Sequence, residues 1–272
     1  MATPNQVFFP SGMGELFSVW GHFPDAVPCA GGTGFVHGQG SRLPEFPQSV
    51  ISLDGIEELK RVSRTERYLE IGAMVKLNQI INLGKIVPEA LTRCLLFTAD
   101  PQVRNQAAIG GAICFPPGNL DIHAPMTALD AQYELRAEHS SRWVSASRFS
   151  SPAEKELLTR VRVPLEPWTF TGYHKIGGKG DGAVLFIMKN EKNILTGIRV
   201  VCAGGTILRS KDSEATLLGK RLPIERKDAD AFAESWKGCL SGTLAAEEDP
   251  RAGLARAQTL NFIRAMLRRI SD

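Results

Sequence analysis

The chain is short of patterned cysteine. Its five cysteines (Cys29, Cys94, Cys114, Cys202 and Cys239) are odd in number, scattered, and never paired as Cys-x-x-Cys. That spacing supplies no zinc or iron–sulfur ligand set and no disulfide framework, so free thiols in a reducing compartment are expected. Long hydrophobic runs are lacking too: no stretch approaches about 18 apolar residues. The opening "MATPNQVFFPSGMGELFSVW" has no basic flank ahead of an apolar segment. Neither a signal peptide nor a membrane span is expected, and the cytoplasm is the default location. An excess of one charge is also missing: 32 basic and 29 acidic residues leave a formal charge of +3. A nucleic-acid partner, which calls for a clustered basic face, is therefore not expected.

Catalytic and nucleotide motifs are sparse in the same way. His22, His37, His123, His139 and His174 show no metal spacing, and neither His-Glu-x-x-His nor a Gly-x-Ser-x-Gly elbow occurs. A Ser/His/Asp triad assembled in space stays open. A dinucleotide fingerprint starting at Gly32 and Gly34 would need glycine at position 37, which is His37. The nearest approach to a phosphate-binding Walker loop, "GYHKIGGK", fails because Lys179 falls one residue late. The chain thus proposes no acid–base chemistry of its own, and any reaction would be carried by a cofactor.

What is present is an ordinary globular composition, 43% hydrophobic and 22% charged over 272 residues, enough for one large domain or two modest ones. Helices are expected at "GELFSVW" (14–20) and "DGIEELKRV" (54–62), and on both sides of the break at Gly84 and Pro88. Strands are expected at "AVPCA" (26–30), "SVISL" (49–53), "RYLEIGAMV" (67–75) and "LLTRVRVPL" (157–165). "HAPMTALDAQYELRA" reads as helix then strand. A boundary is expected near residue 165. It divides a block of two lobes, about 1–55 and 56–165, from a second block, 166–272. In the second block "GAVLFIMKN" and "ILTGIRVVCAGG" form a hairpin, and two helices close the chain. Along the last one, Leu260, Ile263, Leu267 and Ile270 share a face.

Two segments repeat one grammar, a short strand running into a glycine pair: "CAGGTGF" (29–35) and "AIGGAIC" (108–114). Glycine permits close backbone approach and positive φ, and consecutive amides can then converge on phosphate oxygens. Two such segments facing each other could hold a dinucleotide's diphosphate without a lysine. Each could equally be a tight turn. A third "AGGT", at 203–206, reads as a strand end.

"AGGTGF", then "ADPQVRNQAAIGGAI" and "LDIHAPMTALDA", resemble the FAD-binding subunit of molybdenum hydroxylases, the family of xanthine dehydrogenase FAD subunits and carbon monoxide dehydrogenase medium subunits. "TGYHKIG" and "VCAGGT…SEATLLGK" extend the resemblance into the second half. It implies an α+β fold: a two-lobed FAD domain of the vanillyl-alcohol-oxidase and MurB type, then a small domain with a three-stranded antiparallel sheet and helices. It places Ala30, Gly31, Gly32, Thr33, Gly34 and Phe35 against the FAD pyrophosphate, with Ala108, Ile109, Gly110 and Gly111 on the other side. Arg104 and Asn105 would shape the second segment. Asp121 would meet the ribityl or ribose hydroxyls, or else cap the following helix; Leu158 and Lys175 would line the flavin and adenine environment.

The resemblance further implies a molybdopterin-containing large subunit and a [2Fe-2S] small subunit as partners, with electrons passing to NAD⁺ or another acceptor. The chain departs from the family at Ala112 and at "CFPPGN" (114–119). Those departures motivate a second reading, a non-catalytic assembly subunit with a decayed flavin site. A free-standing flavin oxidase is a third, opposed by the lack of acid–base residues for a substrate of its own.

Overall fold

The computed structural model describes residues 6–38, 46–115, 121–176, 182–204, 206–240 and 250–270. The chain opens with β1 (Gln6–Phe8), α1 (Met13–His22), β2 (Val27–Cys29), α2 (Thr33–Gly38) and β3 (Ser49–Ser52). Next come β4 (Val62–Arg64), β5 (Tyr68–Gly72), α3 (Leu77–Asn82), α4 (Glu89–Thr98), α5 (Pro101–Gln106) and α6 (Ile109–Cys114). Then follow α7 (His123–Ala128), β6 (Gln132–Arg136), β7 (Ser141–Ser145), β8 (Leu157–Pro164), β9 (Phe170–Lys175) and β10 (Ala183–Glu191). The chain ends with β11 (Ile194–Ala203), β12 (Ile207–Leu208), α8 (Lys211–Leu217), α9 (Arg226–Leu240) and α10 (Pro250–Arg269). These elements cluster into two compact units.

One unit comprises Met1–Val87, Ala99–Phe115 and Asp130–Leu165. It holds a parallel three-stranded sheet in the order β1-β3-β2 and an antiparallel five-stranded sheet in the order β4-β5-β8-β6-β7. The sequence of β8 explains its central place. Val161 and Val163 are fully buried, while the alternating Arg160 and Arg162 reach out to Glu70 on β5. Beside the parallel sheet, α1 buries Met13, Leu16, Phe17 and Trp20, at helical spacing, against Ile51, Leu53 and Leu59.

The helix expected over 54–62 is instead a single 3₁₀ turn, Glu57–Lys60, followed by β4. Gly72 accounts for this: a β-carbon there would lie 2.2 Å from the Leu59 carbonyl oxygen, so β5 packs against that backbone too closely for an α-helix's side chains. "AIGGAIC" also departs from the strand expected of it, since Ile109–Cys114 is helical and only Ala108 makes a β-bridge, to Lys76.

The other unit comprises Pro88–Thr98, Pro116–Leu129 and Glu166–Asp272. Its antiparallel sheet runs β12-β11-β10-β9, three long strands and a two-residue edge. The β10–β11 hairpin turns at Lys192 and Asn193, both with positive φ (49° and 62°), as a two-residue turn matching strand twist requires. One face of that sheet meets α9 and α10 through Phe186, Val200, Phe232, Trp236, Ile263 and Leu267. Against the other lie α4 and α7, which come from earlier in the chain. Among the described residues, no helix is long and apolar enough to cross a membrane.

Candidate functional site

In the first unit the two glycine segments lie against each other. Glycine at 31 is dictated by contact: a β-carbon there would stand 1.9 Å from the Gln106 carbonyl oxygen. Gly32 has φ +68°, the left-handed region that lets the chain turn out of β2 into α2. Gly34 accommodates the Phe115 ring, whose nearest carbon would be 2.9 Å from an added methyl. From the second segment, Gly110 packs on Ala73, where an added methyl would meet the Ala73 β-carbon at 2.6 Å. Gly111 is different. Only the Ala30 β-carbon, at 3.8 Å, would be near its methyl, so it faces open ground beside the first segment.

Hydrogen bonding separates these residues further. The Ile109 amide donates to the Val75 carbonyl at 3.0 Å and the Gly110 amide to Ala73 at 2.8 Å, so both are spent within the fold. Ala108 and Ile109 are buried. The amides of Gly31, Thr33, Gly34, Phe35 and Gly111 have no partner among the described residues. Glycines at 31, 34 and 110 thus let the two segments pack closely, and the unused donors along them make a cradle that suits an anionic diphosphate. Arg104 braces the approach: it is buried and donates to the Ala99 carbonyl, while the Asn105 side chain accepts from Asn78 at 2.9 Å. At the entry, burial pushes the Cys29 thiol up, an effect opposed by the Gly32 amide and by the Lys76 ammonium.

Asp121 belongs to the second unit. Its side chain makes no cap for α7, whose N-cap is Ile122, so the capping alternative is set aside. Instead the buried carboxylate accepts from the Tyr173 hydroxyl at 2.8 Å and pairs with the Lys175 ammonium at 3.2 Å, both through Oδ2. Oδ1 has no partner among the described residues and keeps its lone pairs for another donor. Burial pushes the Tyr173 phenol far up, with the neighbouring Cys94 and Asp121 adding to the effect, so it stays a donor throughout the working pH range. Tyr173 also stacks on Phe97 of α4, with ring centroids 5.7 Å apart.

Tyr173 was not among the site residues expected from sequence. The signal for it was local: residues two apart on a strand share a face, which puts Tyr173 beside Lys175. Leu158 lies in β8 of the first unit, 2% exposed and opposite Leu135. His37 lies in the last turn of α2 and meets Phe115 edge-on at 5.7 Å. Pro116, Pro117, Gly118 and Asn119 lie outside the described residues. No group of three or more His, Cys, Asp or Glu among the described residues could hold a metal ion.

The sequence profile of the FAD binding domain in molybdopterin dehydrogenase matches residues 3–166. The carbon monoxide dehydrogenase medium chain of Hydrogenophaga pseudoflava is 30% identical over 241 residues, covering 82% of this chain and 83% of its own. The nicotine 6-hydroxylase medium subunit of Paenarthrobacter nicotinovorans is 26% identical over 223 residues, covering 77% of this chain and 78% of its own. Among solved structures, the Hydrogenophaga pseudoflava carbon monoxide dehydrogenase lacking the Mo-pyranopterin moiety superposes with a TM-score of 0.84 at 24% identity, over 97% of this chain and 96% of that one. Quinoline 2-oxidoreductase from Pseudomonas putida 86 gives 0.82 at 22% identity, over 100% and 96% of the two chains. These two superpositions establish a shared fold. With a profile spanning more than half of its length and a 30% identical relative over most of it, the chain belongs to the FAD-binding domain family of the molybdopterin dehydrogenases, as an oxidoreductase flavoprotein subunit.

Proposed function

We propose that this chain is the electron-transfer subunit of a three-part molybdenum hydroxylase. In this reading a molybdopterin-containing large subunit oxidises the substrate, and a [2Fe-2S] small subunit relays the electrons. When bound, FAD supplies the redox chemistry that takes up those electrons and delivers them to NAD⁺ or another acceptor. The chain's own residues bind and orient. The amides of Gly31, Thr33, Gly34, Phe35 and Gly111 donate to the diphosphate, with Gly32 turning the backbone. Ala108, Ile109 and Gly110 form the floor that holds Gly111 in place. Asp121 accepts from sugar hydroxyls through its free oxygen, Lys175 holds that carboxylate, and Leu158 gives an apolar lining. Residues 1–165 make the nucleotide-binding part and 166–272 the C-terminal flavoprotein domain, in the cytoplasm.

The observation that carries this reading is the glycine-lined cradle: two segments meet, and at Gly111, where an added methyl would meet nothing closer than 3.8 Å, the amide is unused among the described residues. The test is direct. The full chain should purify yellow, and heat should release a flavin that chromatographs as FAD rather than FMN. Addition of NADH should bleach that colour if NAD⁺ is the acceptor. Co-purification with the large and small subunits tests the partners.

The assembly-subunit reading keeps one observation in its favour: the Phe115 ring, from the departing "CFPPGN" stretch, packs on Gly34 inside the cradle. A colourless chain that ignores added FAD yet still docks the large subunit would establish it in place of the first.

A further inference from the structure

The glycine cradle has amides but, in its own two segments, no cation. The neighbouring stretch Ala73–Leu77 supplies one. It runs beside the second segment: the Leu77 amide donates to the Ala107 carbonyl at 2.9 Å and the Ile109 amide to Val75 at 3.0 Å. Between these bonds Lys76 and Ala108 face each other in an antiparallel bridge. Opposed residues in such a bridge have Cα atoms about 4.5–5.5 Å apart, so the Lys76 side chain starts at the wall of the cradle.

The first segment borders the same place. Gly31 packs on the Gln106 carbonyl, one residue before Ala107, and Ala30 stands next to Gly111. The Lys76 ammonium is close enough to act on the Cys29 thiol, the residue immediately before Ala30. Its backbone is fixed, because the Lys76 amide donates to the Gln79 side chain at 3.0 Å where α3 begins. The side chain is half-buried and has no carboxylate partner among the described residues. A cation that has given up part of its hydration without gaining an anion is poised for one from outside the chain.

We propose that Lys76 is the cationic member of the cradle and pairs with the diphosphate of FAD between the two glycine segments. This rests on the reading of those segments as a diphosphate site. It replaces the expectation of a lysine-free cradle. The amides fix where the phosphates sit, and the flexible ammonium neutralises their charge as a point charge does.

Titration calorimetry on the flavin-stripped full chain tests it, with the wild type, Lys76→Ala and Lys76→Arg, using FAD and riboflavin at low and high salt. Lys76→Ala should bind FAD about tenfold more weakly while binding riboflavin as the wild type does, since riboflavin carries no phosphate. Its FAD affinity should also depend less on salt, and Lys76→Arg should retain most of the wild-type affinity. FAD bound equally well by Lys76→Ala overturns the assignment. So does a parallel loss of riboflavin, which would mark a general collapse of the site. A wild-type chain that binds no FAD overturns the diphosphate reading itself, and this assignment with it.

Discussion

A methyl group has opposite consequences at Gly31 and Gly111. At Gly31 it would collide with the Gln106 carbonyl oxygen at 1.9 Å, a backbone atom that cannot swing aside. Gly31→Ala should therefore lower stability by about 1–3 kcal/mol, read as a fall in the thermal midpoint, and weaken FAD binding with it. At Gly111 the methyl meets nothing closer than 3.8 Å, and the residue lies inside α6, where alanine is the better helix former by about 1 kcal/mol. Gly111→Ala should hold or raise the thermal midpoint while weakening FAD binding, because its methyl stands in the cradle. Tyr173→Phe removes one hydroxyl from Asp121 and leaves the Phe97 stack in place. It should weaken FAD about tenfold with unchanged folding, measured by calorimetry beside circular dichroism. The two glycine pairs stood out in the sequence as candidates. Which glycine is packing and which is open could not be read there, since Gln106, Ala73 and Ala30 approach only in three dimensions.

Among the elements, α7 shows how a six-residue helix is held. Its last turn presents the Thr127 and Ala128 carbonyls, which accept from Arg209 and Arg199 of the second unit's sheet region. Arg209 in turn forks onto Glu214 of α8, a nearly buried carboxylate that also accepts from the Val200 amide at 3.0 Å. Glu214→Ala would take the carboxylate from the Arg209 guanidinium and the side-chain acceptor from the Val200 amide, and should cost about 3–5 kcal/mol in a denaturant titration. In the first unit, Glu70 joins β5 to β8. Burial pushes its carboxyl up, but hydrogen bonds from Arg162 and Arg160 outweigh that and hold it below the usual carboxylate range. A carboxylate depressed in the folded state stabilises above its unfolded pKa, and that contribution is lost as pH falls through the folded value. The thermal midpoint should therefore drop between about pH 5 and pH 3, and Glu70→Gln should flatten that slope. Period-two alternation in "LLTRVRVPL" foretold β8 and its two faces. The pairing of β8 with β5 and β6, some 90 and 25 residues earlier, was beyond it.

At the scale of the whole molecule, the thiols make the most accessible measurement. All five cysteines are free, and Cys94 and Cys202 are buried. Burial pushes the Cys94 thiol up to about 12 and raises Cys202 as well. Both should stay silent to a thiol reagent at neutral pH until denaturant unfolds the chain, and reducing agent should not move the thermal midpoint. Composition alone pointed to free thiols, since no cysteine spacing suggested a bridge. Their protection depends on packing: Cys94 lies under β9, and Cys202 is enclosed by Val184, Leu208 and their neighbours.

By itself the sequence determined the longer helices, the strands with clear alternation such as β5, β6, β8, β10 and β11, and the glycine grammar by which the family is recognised. These are local properties: hydrophobic period, turn residues and the absence of a β-carbon each act within a few positions. Tertiary structure alone decided that 54–62 is a 3₁₀ turn and that "AIGGAIC" is a helix. It also decided that Tyr173 and Lys175 share one oxygen of Asp121, and that Lys76 borders the cradle. Each of these depends on contacts between residues far apart in the chain, where a backbone carbonyl or a neighbouring strand overrides what the local pattern prefers.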